Sequence, residues 1–310
     1  MEAAVTDSAA GITVVILTFN EARHIARAIE SVRSIAEAVI VIDSFSTDDT
    51  VEIARAAGAR VLQNPFVSQS QQFQWALDNV SIATPWTLRL DADEIIEADL
   101  AENILRDLPS LSEEVTGINF FRKQIFMGRW IAHGGRYLEM MRLWRTGRGH
   151  IEDRWMDEHV IVEGGRTITM RGGFADAPLQ DVGSFTEKHN RYATREAIDL
   201  LTARHGLNGQ SEEKSSSLGS EQARGRRRLK EQIYNRLPIW VGPLSYFLYR
   251  YFVQLGVLDG RVGLIYHFLQ AFWFRFLVDA KVIEFEMHLA GCDGVEEKRR
   301  MLSELTGYRL

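Results

Sequence analysis

Residues 12–43 read ITVVILTFNEARHIARAIESVRSIAEAVIVID, and this stretch decides the fold. Its opening, 12–18, is a β-branched apolar run just after Gly11, which marks a buried strand. Ile25, Ala28, Ile29, Val32 and Ile35 then recur at helical spacing and make one apolar face. A second apolar run, 38–42, ends at Asp43. Strand, helix and strand joined by short loops imply parallel strands, because the helix returns the chain to its starting edge.

The same rhythm continues outward. Ser46 and Thr47 stand as N-cap candidates for a helix over 51–57, with Asp48 and Asp49 in its first turn and Gly58 as its stop. Residues 59–63 predict a third strand, and Phe73, Ala76, Leu77 and Val80 a third helical stripe. Thr87 to Leu90 alternate polar and apolar and run into Asp91-Ala92-Asp93-Glu94. The order β-α-β-α-β-α-β predicts an α/β fold: a mostly parallel, Rossmann-like sheet with helices on both faces. Ligands bind such sheets beyond the carboxyl ends of the strands. Thr18, Asp43 and Asp91 all end strands, so they belong to one rim.

Composition bounds the function. The chain has 310 residues, 45% apolar and 25% charged, which excludes wholesale disorder, a collagen-like fibre and a many-spanning transporter. With 36 basic against 42 acidic residues, the net charge of −6 excludes a general nucleic-acid coat. Cys292 is the single cysteine, so neither an internal disulfide nor a structural zinc site is expected, and a reducing compartment fits. The first residues, MEAAVTDSAAG, carry no basic start and no apolar core, so no signal peptide is expected.

Further along, Val115 to Phe121 predict a strand, and the Gly-, Arg- and Trp-rich stretch 128–173 reads as irregular strands and loops. Residues 184–205 predict a helix, and 208–228 a polar linker. Residues 237–258 and 262–283 are aromatic and apolar, each long enough to span a bilayer. Arg250, His267, Arg275, Asp279 and Lys281 interrupt them, which fits helices lying in the membrane interface better than spans. A buried helical core is the alternative. The run Arg224-Gly225-Arg226-Arg227-Arg228 fits either contact with anionic lipid headgroups or a solvated charge cluster.

The chemistry centres on the acids. Asp91 and Asp93, two residues apart at a strand end, suit a hard cation such as Mg2+ or Mn2+ shared with substrate phosphates. Equally, Asp93 and Glu94 suit the first turn of a helix over 95–106. Asp43, at the sheet rim, is placed to accept hydrogen bonds from a base or ribose edge.

Three motifs together, Val15-Ile16-Leu17-Thr18-Phe19-Asn20-Glu21, Val41-Ile42-Asp43-Ser44 with Ser46-Thr47-Asp48, and Leu88-Arg89-Leu90-Asp91-Ala92-Asp93-Glu94, resemble the family 2 glycosyltransferases of the A (GT-A) fold type. The resemblance covers the first 100 residues and continues more loosely through Gly128-Arg129-Trp130, Arg142-Leu143-Trp144-Arg145 and Asp157-Glu158-His159-Val160. Residues 186–193 and the aromatic C-terminus look like the bacterial subgroup that builds exopolysaccharide, lipopolysaccharide core or colanic-acid-type glycans. The resemblance implies an inverting, metal-dependent transfer from a nucleotide-diphosphate sugar to a glycan, lipid-linked in view of the C-terminus, and no nucleic-acid partner. It implies work at the cytoplasmic face of the bacterial inner membrane, peripheral or interfacial. Its alternatives are a polyprenyl-phosphate sugar synthase, or a non-catalytic membrane-associated scaffold of the same fold.

Carried over residue by residue, the resemblance places Thr18, Asn20, Glu21, Asp43, Asp91 and Asp93 at the nucleotide sugar, with Asp93 and Asp91 holding Mg2+ or Mn2+. Gln74 stands at a further nucleotide position where many relatives carry asparagine. Glu158, with Asp157 as its rival, takes the general-base role, because relatives carry an acid before histidine here. His159, Arg142 and Arg145 are possible diphosphate contacts. For the arginines, the alternative is a structural role flanking buried Leu143 and Trp144. The implied organisation is a nucleotide-sugar-binding half (1–114), an acceptor-side half (115–207), a flexible linker (208–230) and a helical, aromatic, membrane-interfacial region (231–310).

Overall fold

The computed structural model describes residues 10–135, 138–152, 159–179, 181–207 and 238–308. The expected linker, the Arg224–Arg228 run, Asp157 and Glu158 lie outside the described residues. Two compact units emerge, Met1–Trp130 with Arg136–Leu179, and Ile131–Gly135 with Gln180–Leu310.

The first unit opens as the periodicity requires: β1 (Ile12–Thr18), α1 (Ile25–Ser31), β2 (Ala36–Asp43), α2 (Thr50–Ala56), β3 (Arg60–Gln63), α3 (Gln69–Asn79) and β4 (Trp86–Asp91). These four strands pair in parallel in the order β3-β2-β1-β4. Alternate residues of β1 serve opposite faces, as strand geometry demands. Val14 and Ile16 pack with Ile25, Ala28 and Ile29 of α1. Val15 packs on the other face with Phe73 and Ala76 of α3. Each fully buried valine, isoleucine or phenylalanine among them contributes about 1.5–3 kcal/mol.

The second half of the sheet departs from expectation. After β5 (Glu94–Ile96) and α4 (Ala98–Asp107) come β6 (Val115–Phe126), β7 (Arg129–Ile131), β8 (Leu138–Arg145), β9 (Gly149–Ile151), β10 (Val160–Val162) and β11 (Arg166–Asp176). The sheet continues from β4 as β8-β6-β11-β5, with β7 beside β6. β8 runs antiparallel to both β4 and β6, and β5 antiparallel to β11. The sheet is therefore mixed rather than mostly parallel, because no crossover helix links β6 to β8. The stretch 128–173, expected as irregular strands and loops, supplies β8 and most of β11 to the main sheet. The two expected halves, 1–114 and 115–207, share this one sheet through β6, β8 and β11.

The start of α4 decides between the two readings of the acidic motif. Its N-cap is Glu97, and Glu94 belongs to a strand. Asp93 and Glu94 therefore do not lead a helix. Gly172 shows how tightly α4 lies on β11. Its φ is +130°, and a Cβ there would meet the Leu100 Cα at 2.6 Å.

The second unit is helical: α5 (Val182–His205), α6 (Val241–Leu248), α7 (Gly260–His267), α8 (Phe274–Leu289) and α9 (Val295–Thr306). Asp181 caps α5 by accepting from the Ser184 amide at 2.7 Å, and Gly206 ends it in the left-handed region. Ala197, Ile198 and Leu201 of α5 pack with Val282, Phe285 and Leu289 of α8, and with Leu302 of α9. π-helical turns, Tyr249–Val253 and Phe268–Trp273, interrupt the aromatic segments. Among the described residues no helix is long and apolar enough to cross a membrane.

Candidate functional site

The rim at the carboxyl ends of β1, β2 and β4 gathers most of the expected residues. Thr18 is in register with Asp43, and its neighbour Leu17 with Asp91. Asp43 and Asp91 thus flank the end of β1 on adjacent strands, about 10 Å apart at strand spacing. Asp93 follows on the tight turn into β5, where its carbonyl accepts from the Ala177 amide at 3.0 Å.

Asp43 is fully buried and its carboxylate accepts four hydrogen bonds: Thr18 Oγ1 at 3.3 Å, the Ser46 amide at 3.0 Å, the Ser46 hydroxyl, and Gln63 Nε2 at 3.0 Å. Ser46 is therefore an anchor for Asp43 rather than a helix cap; α2 begins later, at Thr50. Asn20 takes the left-handed conformation (φ 56°), which its short polar side chain tolerates, and its Oδ1 accepts from the Thr47 amide at 2.8 Å. The loops after β1 and β2 are thus tied together. They carry Phe19 and Phe45 outward, both about half exposed, with Phe45 also at positive φ (61°).

Glu21 also braces the rim from within. Its Oε2 lies 2.5 Å from His24 Nδ1, and His24 Nε2 accepts from the Leu179 amide at 2.9 Å. With Nε2 accepting, Nδ1 is the protonated nitrogen that donates to Glu21. Gln74 is likewise occupied. Its Nε2 donates to Asp78 at 2.8 Å and its Oε1 accepts from the Ile151 amide at 3.0 Å, pinning β9 to α3. The glutamine that reaches the rim loop is Gln72, buried, with Nε2 donating to Ser44 Oγ at 3.2 Å and to the Asn64 carbonyl at 3.0 Å.

Beneath the acidic turn lies a buried charge cluster. Arg142 Nη2 is 2.6 Å from Glu94 Oε1 and 3.4 Å from Asp91 Oδ2. Arg89 Nε is 3.5 Å from Asp91 Oδ1. Glu94 Oε2 accepts from the Asp91 amide at 2.8 Å. Burial alone would raise the Asp91 pKa, but Arg142 and Arg89 outweigh it and hold the carboxyl below its ordinary value. Burial pushes Glu94 up to about 8; Arg142 opposes this, while the charges of Asp91 and Asp93 reinforce it. The structure also parts the two expected diphosphate arginines. Arg142 is buried and turned toward the acids. Arg145 pairs with Trp86, the first residue of β4, at the opposite edge from Asp91. There it donates to the Val115 carbonyl at 3.1 Å and stacks on the Trp86 ring. His159 is exposed, and its carbonyl accepts from the Glu152 amide at 2.9 Å.

Asp91 keeps its side chain 25% exposed, and Asp93 is half-buried beside it. Among the described residues no three His, Cys, Asp or Glu side chains converge to hold a metal. The donor set fits a hard divalent cation that takes its remaining oxygens from water and substrate phosphates, not an all-protein cage.

Arg89, Glu94, Gln63, Gln72 and His24 are site-building residues that the sequence reading missed. Gln63 ends β3, so the strand-end rule that found Asp43 also points to it. The pairing of Arg142 with Glu94 spans distant parts of the chain and leaves no local trace.

Residues 13–174 match the sequence pattern described as Glycosyl transferase family 2. An uncharacterized glycosyltransferase of Rickettsia felis is 44% identical over 93 residues, 30% of this chain and 32% of that protein. The match thus spans about a third of that relative's length. The lipopolysaccharide core biosynthesis glycosyltransferase LpsC of Rhizobium meliloti is 28% identical over 189 residues, 59% of this chain and 68% of that protein. Among solved structures, glucosyl-3-phosphoglycerate synthase from Mycobacterium tuberculosis, crystallised with Mn2+, UDP and glucosyl-3-phosphoglycerate, overlaps with a TM-score of 0.30. It is 26% identical, over 36% of this chain and 44% of that one.

Proposed function

The chain belongs to glycosyl transferase family 2, and from that premise we propose that it moves a sugar from a nucleotide-diphosphate donor, with inversion, to a glycan acceptor carried on a lipid. The observation that carries this reading is the register of β1 with its two neighbours, which brings Asp43 and Asp91 to one rim with Asp93 on the adjoining turn.

The nucleoside end belongs beside Thr18 and Asp43, where the loops after β1 and β2 are braced. Exposed Phe19 and Phe45 offer aromatic faces on which a base stacks. The diphosphate belongs at the acidic turn, where Asp93 and Asp91 would hold Mg2+ or Mn2+. When bound there, the cation neutralises charge building on the leaving diphosphate. Arg142 and Arg89 keep Asp91 ionised and fixed in place, and Glu94 braces the turn by accepting the Asp91 amide. Glu158, or Asp157, takes the proton of the acceptor hydroxyl from the face opposite the diphosphate.

Two further observations support a cell-surface acceptor and a membrane location. LpsC is named for lipopolysaccharide core biosynthesis, which supports a cell-surface glycan. The C-terminal unit exposes large apolar side chains, among them Phe252, Val253 and Leu258, which supports lying on a membrane surface. With nucleotide sugars as donors, our reading sets that surface at the cytoplasmic face of the inner membrane.

The test is nucleoside diphosphate release by the full chain from a panel of UDP-, GDP- and ADP-sugars, with and without Mn2+. One donor class should turn over with Mn2+ and stop with chelator or in Asp93→Ala. Release that is indifferent to both contradicts the reading.

A further inference from the structure

Sheet pairing of β11 stops at Asp176, which is in register with Glu94 of β5 and Gln124 of β6. The three residues that follow, Ala177-Pro178-Leu179, run beyond the ladder, yet each backbone N–H they possess is held. The Ala177 amide donates to the Asp93 carbonyl at 3.0 Å, and the Leu179 amide to His24 Nε2 at 2.9 Å. Pro178 has no N–H to place. Between these bonds, Arg27 Nη2 donates to the Ala177 carbonyl. Ala177 is buried, but the Leu179 side chain is 53% exposed, so the amide of Leu179, not its side chain, anchors the far end of this strap.

His24 forgoes another role to do this. It occupies the N-cap position of α1, where a short polar side chain would accept an amide of the first turn, and its own side chain makes no such bond. The residue is buried, and its ring meets Leu179 through one nitrogen and Glu21 Oε2, 2.5 Å away, through the other. The Glu21 carboxylate fixes the tautomer: Nδ1 carries the proton, and Nε2 is left to accept. Glu21 is itself tied down, its amide donating to Thr50 Oγ1 at 2.8 Å at the start of α2.

A continuous path of bonds therefore joins the two ends of the donor site. It runs from the loop after β1, where Asn20 and Glu21 lie, through His24 to Leu179, and through Ala177 to the turn that carries Asp93. That turn is two residues long, between β4 and β5, and the Ala177 amide grips it from outside. Groups that orient the ligands of a metal without touching it commonly change its affinity by about 10–100-fold when removed.

We propose that His24 is a positioning residue for the divalent cation. Acting through the strap of residues 177–179, with Arg27 as a second anchor, it holds the Asp93 turn in a fixed place relative to the nucleoside loop. This deepens the proposed function and rests on its assignment of Asp93 to the cation.

The test is Mn2+ titration of the full chain with UDP, GDP or ADP present, followed through the electron paramagnetic resonance signal of free Mn2+, beside urea melts. His24→Leu should weaken Mn2+ binding about tenfold. His24→Gln should recover most of that loss, because one side-chain amide donates to Glu21 while accepting from Leu179. Arg27→Met, which releases the Ala177 carbonyl, should weaken Mn2+ by a smaller factor. Parent affinity in folded His24→Leu overturns the proposal, whatever becomes of its urea midpoint, since a strap that only stabilised the fold would move the midpoint alone. So does a His24→Gln protein as impaired as His24→Leu. If His24→Leu does not fold, parent affinity in Arg27→Met overturns the proposal instead. A parent that binds no Mn2+ with any of the three diphosphates removes the assignment of Asp93 and the strap's role with it, whereas unchanged affinity in the variants removes only the strap's role.

Discussion

The sheet rim and the C-terminal unit invert one another. Around β1, apolar side chains are buried on both faces and carboxylates stand at the strand ends. In the C-terminal unit, Phe252, Val253 and Leu258 are exposed while Arg250 and His267 are buried. Exposed apolar side chains in number mark a surface for contact with a partner, a ligand or a membrane. In the proposed function the rim takes the polar, charged ligand and the C-terminal surface meets the membrane.

The comparison breaks most sharply at Asp93. Asp93→Ala should lower turnover about 10²–10³-fold, judged against the loss of a single charge-stabilising group, without shifting the denaturation midpoint by more than the effect of a surface change. Steady-state kinetics beside urea melts separate the two. Arg142→Leu should chiefly cost stability, about 3–5 kcal/mol, by stranding buried Glu94 and leaving Asp91 with Arg89 alone. Urea denaturation measures it, and Arg142→Lys should recover part. Asp43→Ala should cost about 1–3 kcal/mol, because the Ser46 and Gln63 donors lose their acceptor.

His267 sharpens the contrast through pH. Burial, followed by the charge of Arg250, lowers its pKa to about 4. The folded state therefore favours the neutral ring. This contribution is fully present above the usual histidine value of about 6.5 and is lost as pH falls through about 4. Stability of the parent should drop more steeply over that window than that of His267→Gln. The smallest expected effect on stability is at the exposed surface. Phe252→Ser should change unfolding free energy by less than about 0.5 kcal/mol, yet weaken vesicle flotation.

The legible part of the molecule is its locally encoded part. Strands at 12–18 and 38–43, with the helix between them, follow from spacing alone, and so do Asp43 and Asp91 as strand-end acids. Choices that depend on pairing across the chain were hidden. Nothing near Arg142 and Arg145 says that one reaches Glu94 while the other lies at the far edge; the antiparallel register of β8 with β4 decides that. Gln72 and Gln74 lie on one short helix, and only the packing of α3 turns the first toward Ser44 and the second toward β9. The second half of the sheet was missed because β8 and β11, interrupted by Arg and, in β11, by Gly, lack the unbroken apolar runs of β1 and β2.

One measurement bears most directly on the rim: calorimetric titration of the full chain with a nucleoside diphosphate, with Mn2+ and with chelator, in the parent and in Asp93→Ala. Tight binding that needs both Mn2+ and Asp93 is the predicted result. Binding of equal strength in chelator, or in the variant, would contradict the claim that this edge of the sheet clasps a divalent ion and a pyrophosphate together.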